Sequence, residues 1–163
     1  MKFDPKQLKS VAGTFPTGVT IVTITEASGE VHGMTASSLQ SVSLDPPLVS
    51  FCVKENAKTY QLLEEGTPIG ISILNNDQQD ISSQFAGYGD EEAEIKMMEH
   101  GNKVRVIDKA LGWYATIVDQ IIPAGDHFLI LCRIQEFGKK EEGQPLVYWS
   151  GYKTITEITS SSS

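Results

Sequence analysis

The chain has 163 residues, 40% of them hydrophobic and 21% charged, with a formal net charge of −8 and a sequence pI near 4.8. That length suggests one domain, and a domain of this size hides roughly two thirds of its unfolded surface. The acidic balance argues against non-specific binding to nucleic acid or to an anionic membrane, and no apolar run approaches the roughly 20 residues of a membrane span.

The opening MKFDPKQLKS lacks an apolar signal region, so no export is expected. Asp4 before Pro5 reads as an N-cap with proline in the first turn, which predicts a short helix to about Thr14. Residues 18–25, GVTIVTIT, are a β-branched strand, and EASGE turns the chain so that 30–36 returns as a hairpin. Asp45-Pro46-Pro47 marks a turn, after which 48–53, LVSFCV, reads as a buried strand. A helix is expected over 57–65, with Asn56 as its N-cap and Gly66 closing it. A strand over 68–74 follows, then a helix over 77–86 capped by Asn76.

Residues 87–101 are acidic and glycine-bounded, and read as a solvated loop or helix. No metal-ligand spacing such as HExxH occurs there, and no metal is expected. Strands are expected over 113–122 and 127–137 around the turn PAGDH, with short strands near 146–149 and 152–158. Many short strands joined by turns, with few helices and no helical crossovers, favour a β-barrel.

Charge is unevenly distributed. Residues 1–60 carry five lysines and five acidic residues, whereas 61–163 carry eight basic and sixteen acidic ones. An anionic ligand is therefore better received near the first third of the chain. Cys52 and Cys132 both lie in apolar strand patterns and are expected as buried thiols in a reducing cytoplasm.

The segment 33–53, GMTASSLQSVSLDPPLVSFCV, is unusual in its hydroxyls: Thr35, Ser37, Ser38, Ser41 and Ser43. Alternation could line one strand face with them. A core has no use for that lining, because each buried hydroxyl needs a partner; a polar ligand supplies partners. The following KENAKT places Lys54, Asn56, Lys58 and Thr59 at an expected helix start, where free amides attract anions. The plain alternative is a capped surface helix. His127 stands at a strand entry after Gly125-Asp126, and a lone histidine there is more often a surface or satisfied core residue. No Ser-His-Asp or Cys-His motif, GxGxxG or Walker loop is present. Trp113, Tyr148, Trp149 and Tyr152 suit either ring stacking or a core and interface.

Together, FPTGVTIVT at 15–23, HGMTASSLQSVSLDPPLVSFCV at 32–53, ILNNDQQDISSQFA at 73–86, AGDHFLILCRIQEFG at 124–138 and PLVYWSGYK at 145–153 resemble the short-chain flavin reductases. These are the reductase components of two-component flavin-dependent monooxygenases. The resemblance implies a mainly β fold, an FMN-binding split β-barrel with Greek-key connections, about six strands and a few short helices. The domain would span 1–158, with 159–163 a disordered tail. It implies FMN or FAD as flavin, NADH or NADPH as electron donor, a homodimer, an oxygenase component as partner, and a cytoplasmic location.

By the same resemblance, Thr35, Ala36, Ser37 and Ser38 lie along the flavin ring and ribityl chain, with Cys52 and Val53 beside them. Lys54, Asn56 and Thr59 hold the phosphate, in a stretch where the family often has Arg and Ser. Gln84 and Phe85 reach the cofactor from a helix. His127 stands near the nicotinamide, and Tyr152 close to the same pocket. A non-catalytic flavin-binding redox sensor or electron-transfer module is the alternative reading. A lipid-binding barrel is a third, against which the hydroxyl-rich strand argues.

Overall fold

A computed structural model describes residues 3–89 and 94–156. Helix α1 (Pro5–Ala12) starts as expected, with the Asp4 carboxylate accepting from the Lys6 amide at 2.9 Å. Strands β1 (Thr17–Gly18), β2 (Thr20–Thr25), β3 (Val31–Ala36), β4 (Gln40–Leu44) and β5 (Pro47–Lys54) follow. Next come helix α2 (Lys58–Gln61), strand β6 (Pro68–Ile73), helix α3 (Gln79–Phe85) and strands β7 (Met97–His100) and β8 (Val104–Ile107). The long strands β9 (Gly112–Ala124) and β10 (His127–Lys139) precede two short ones, β11 (Val147–Tyr148) and β12 (Tyr152–Lys153). No helix among the described residues is long and apolar enough to cross a membrane.

Seven strands form one antiparallel sheet in the order β3-β2-β6-β9-β10-β5-β4. The sheet curls. Val22 and Ile24 near one edge share a single buried cluster with Val49, Phe51 and Val53 near the other, together with Ile69, Ile71, Val118, Ile130 and Cys132 between them. A flat sheet could not bring its two ends into one core, so this is a barrel with an open seam between β3 and β5. Among the described residues, one hydrogen bond clasps the seam. Beyond Gln40, β4 no longer pairs with β5, and the Cys52 amide instead donates to Ser38 Oγ at 2.9 Å.

Strand β2 is buried on both faces, which explains its unbroken β-branched run. Val22 and Ile24 fill the barrel. Val19 and Ile21 join a second cluster outside it, with Leu74, Ile107, Ala110 and Leu146. Strand β8 lies on that outer face, where the Ser72 hydroxyl accepts from the Ile107 amide at 2.8 Å.

Several expectations need correction. The helix expected over 57–65 is one turn, Lys58–Gln61, capped at Ala57 and not at Asn56. Asn56 is consumed in a turn in which the Ala57 amide bonds back to the Lys54 carbonyl at 3.1 Å. Helix α3 is capped at Gln78 and not at Asn76, because Gln78 Oε1 takes the Asn75 amide and Asn75 Oδ1 takes that of Asn76. The acidic stretch 87–101 ends in β7, which pairs with β8; residues 90–93 lie outside the described residues. Strands β4, β7 and β8 differ from the sequence reading, and seven strands instead of about six form the main sheet, although the mainly β split barrel holds. The expected strand 152–158 shrinks to β12; its last two residues and the tail 159–163 lie outside the described residues.

Candidate functional site

The seam opens onto a cleft of about 610 Å³. Strand β3 and the turn after it contribute Met34, Thr35, Ala36, Ser37 and Ser38. The end of β5 contributes Cys52, Val53 and Lys54, and Ala57 lies just beyond. Helix α3 and its exit supply Phe85, Ala86 and Tyr88, and β10 supplies His127. Antiparallel pairing places His127 directly opposite Lys54, which fixes both at one end of the cleft.

The hydroxyl run therefore does not line one strand face. It divides among β3, the turn and β4. Thr35 Oγ1 donates to the Ser82 carbonyl at 2.6 Å, so its hydrogen ties α3 to β3 and only its lone pairs remain for a ligand. Ser38 Oγ accepts the Cys52 amide and keeps its own hydrogen available. Ser37 is exposed and has no hydrogen-bond partner among the described residues. Ser41 and Ser43 lie on β4, away from the cleft.

Phe85 forms one wall. Its ring rests against Gly33, where a Cβ would stand 2.5 Å from Phe85 Cε1. Glycine at this strand position is what lets the ring settle on the backbone. Ser82, wholly buried, holds the same helix from a second side, its hydroxyl 2.7 Å from that of Tyr152.

His127 Nδ1 lies 2.8 Å from Asp126 Oδ1. A carboxylate can only accept, so Nδ1 donates and Nε2 is left as the ring's other nitrogen. His127 holds the Asp126 carboxyl below the usual carboxylate range, first by this hydrogen bond and then by its charge, with Lys54 adding a smaller pull. Asp126 is fully solvated, so the pair orients the ring more than it stabilises the fold. Of the two free cysteines, only Cys52 is half-exposed and in the cleft. Cys52 and Cys132 lie opposite Leu129 and Val49, on neighbouring strands but out of register with each other. Burial pushes the Cys132 thiol up to about 12, against a hydrogen bond with Thr116.

Of the residues singled out in the sequence, Thr35, Ala36, Ser37, Ser38, Cys52, Val53, Lys54, Phe85 and His127 meet in this cleft. Four do not. Asn56 is exposed in its turn, and Thr59 is 4% exposed on the buried face of α2. Gln84 lies on the other flank of α3, in a separate cavity with Asp80, Ile81 and Asp108. Tyr152 is half-buried behind α3, edge-on to Tyr148 at 5.6 Å between ring centres. Met34, Ala57, Ala86 and Tyr88 were missed. The alanines look like ordinary core filler in a sequence; Tyr88, an aromatic directly after a helix-closing glycine, was the one available signal.

The donor set fits a flavin. Small apolar side chains (Ala36, Ala57, Ala86) leave a slot for a planar ring, the unpaired Ser37 hydroxyl offers a polar edge, and Lys54 offers countercharge for a phosphate.

The flavin reductase like domain model matches residues 12–156. The chain is 40% identical over 149 residues to the NADH-dependent flavin reductase of Rhodococcus sp, covering 90% of this chain and 84% of that protein. It is 35% identical over 136 residues to the stachydrine N-demethylase reductase subunit Stc3 of Rhizobium meliloti (strain 1021), covering 83% of this chain but only 59% of that protein's length. The solved flavin reductase PheA2 superposes with a TM-score of 0.88 at 34% identity, over 94% of this chain and 99% of that one. A split barrel with a nucleotide-sized cleft at its seam defines the class. The chain belongs to the flavin reductase like domain family.

Proposed function

We propose that the protein is an NAD(P)H:flavin oxidoreductase that takes hydride from a nicotinamide onto FMN or FAD and passes the reduced flavin to a partner oxygenase. The observation that carries this reading is the seam cleft itself, where an apolar slot, hydroxyl donors, Lys54 and His127 converge in a chain of this family. A relative 31% identical over 133 residues, the reductase component of the flavin-dependent trigonelline monooxygenase of Acinetobacter baylyi (strain ATCC 33305 / BD413 / ADP1), supports an oxygenase as recipient.

A bound flavin supplies the two-electron chemistry. The protein's own groups bind and orient. Ser37 and Ser38 donate hydrogen bonds to a ring edge, and Phe85 with the alanines excludes water from its faces. Lys54 pairs with a phosphate. Hydride transfer needs the donor carbon held about 3–3.5 Å from its acceptor. His127, with Nδ1 fixed by Asp126, presents Nε2 as an acceptor that can hold the donor's carboxamide N–H. No acid–base triad is required for that step.

NADH oxidation followed at 340 nm, with and without added FMN or FAD at several concentrations, tests the proposal. Flavin-dependent oxidation is expected. A protein that binds flavin but never oxidises NADH or NADPH would favour the redox-sensor alternative, and one that ignores flavin would sink both.

The reading includes a homodimer. Its support is the apolar surface left uncovered by one chain: α1 buries none of its residues, and Leu8, Val11, Phe15 and Trp149 are exposed. Light scattering showing a monomer at micromolar concentration would defeat it. A cytoplasmic location is part of the same reading, supported by the two free thiols.

A further inference from the structure

Tyr88 stands apart from the other rings of the cleft. Phe85 spends its ring on Gly33, whereas the Tyr88 residue is 89% exposed while still lining the cleft. Its backbone is not loose. The Gly87 amide bonds to the Gln84 carbonyl at 3.0 Å and the Tyr88 amide to that of Ser83 at 2.9 Å, with Gly87 at φ 82°. This is a Schellman closure, which needs a left-handed residue at the position of Gly87. Gly89 is then folded back so tightly that a Cβ there would lie 2.6 Å from the Gln84 nitrogen. A ring held on a fixed backbone at the rim, unused by packing, is a preformed stacking surface that loses little freedom on binding.

Resting on the reductase reading above, we propose that Tyr88 is the platform for the adenine of the nicotinamide dinucleotide donor. The nicotinamide must lie over the flavin, beside His127 and the Ser37–Ser38 turn. The donor's other planar group leaves the cleft at its rim, which is where Tyr88 stands. Stacking of a base on an aromatic side chain is of a size that gives about a tenfold loss on truncation to alanine.

The test is calorimetric titration of the flavin-loaded protein with ADP-ribose, which carries the adenine but no nicotinamide and cannot be oxidised. Tyr88→Ala should weaken ADP-ribose about tenfold, and Tyr88→Phe, which keeps the ring, should stay within about twofold of the parent. In steady state, Tyr88→Ala should raise KM for NADH by the same factor and leave KM for reduced nicotinamide mononucleotide unchanged. Unaltered ADP-ribose affinity, equal losses for the two donors, or a loss of flavin affinity would each overturn the proposal. A parent protein that binds ADP-ribose through Tyr88 yet oxidises no NADH would instead overturn the reductase reading and leave the adenine contact standing.

Discussion

Replacing Gly33 by alanine probes how the cleft wall is built. The new Cβ would stand 2.5 Å from Phe85 Cε1 and 2.7 Å from Cδ1, where ordinary contacts begin at 3.4 Å. The ring has to retreat by about 0.9 Å, the difference between 3.4 and 2.5 Å, and away from β3 lies the cleft. Overpacking of this kind costs roughly 1–3 kcal/mol, and removing a glycine from a strand interior returns roughly 0.5–1 kcal/mol. The net loss is then about 0–2.5 kcal/mol, at roughly 2–4 °C in Tm per kcal/mol for a chain of this length. Flavin affinity, read by quenching of flavin fluorescence, should fall with it, because the displaced ring takes space from the slot. The decisive measurement is the double mutant. With Phe85→Ala in place the clash is gone, and Gly33→Ala should then cost less than about 0.5 kcal/mol. A penalty that persists undiminished in that background would refute the argument and assign the strain to the Val22 carbonyl, 3.2 Å from the same Cβ.

Three further outcomes follow from the cleft. Ser37→Val should weaken flavin binding without touching Tm, by roughly 0.5–1.5 kcal/mol for one hydrogen bond, whereas Ser38→Val should lower both, because it also orphans the Cys52 amide; equal Tm values for the two variants would deny the clasp. A thiol reagent at pH 8 should label Cys52 and be slowed by bound flavin, while Cys132, its thiol pushed up to about 12, stays protonated and silent until the protein is unfolded; two fast thiols in the native protein would contradict this. His127→Ala should cost about ten- to a hundredfold in kcat/KM for the nicotinamide, roughly 1.4–2.7 kcal/mol, with flavin affinity unchanged; wild-type reduction rates in stopped flow would remove His127 from the donor's side.

Much of the barrel was legible because its central strands are written in β-branched and alternating residues. GVTIVTIT, LVSFCV and the paired runs either side of Gly125-Asp126 all became strands close to their expected bounds. Strand β4 was not legible because QSVSL is exposed along most of its length and shows no buried face. Strand β8 is short; among the described residues it pairs only with the equally short β7, and it packs on an outer sheet surface more than thirty residues away in sequence, as between Ile107 and Ser72. The candidate cleft gathers most of the residues expected from the sequence and leaves others outside it. Side-chain chemistry is visible in a sequence, but partners are not. Thr35 looked like a ligand donor until α3 brought the Ser82 carbonyl to it from 47 residues away. Asn56 looked like a cap until the turn after β5 absorbed it.

The clasp between Ser38 and Cys52 has a consequence for motion. Elsewhere the barrel is closed by strand ladders, in which each rung supports the next; at the seam, among the described residues, a side-chain oxygen does that work. Opening there is a local event and need not await global unfolding, and the surface it uncovers is the floor of the cleft. A ligand seated across the seam draws on the same equilibrium and shifts it by mass action. Amide hydrogen exchange at Cys52 should therefore be fast in the empty protein and slow steeply as flavin is added, while the amides of β6 and β9 in the barrel's middle hardly change. In that sense the bound molecule is the missing stave of the barrel.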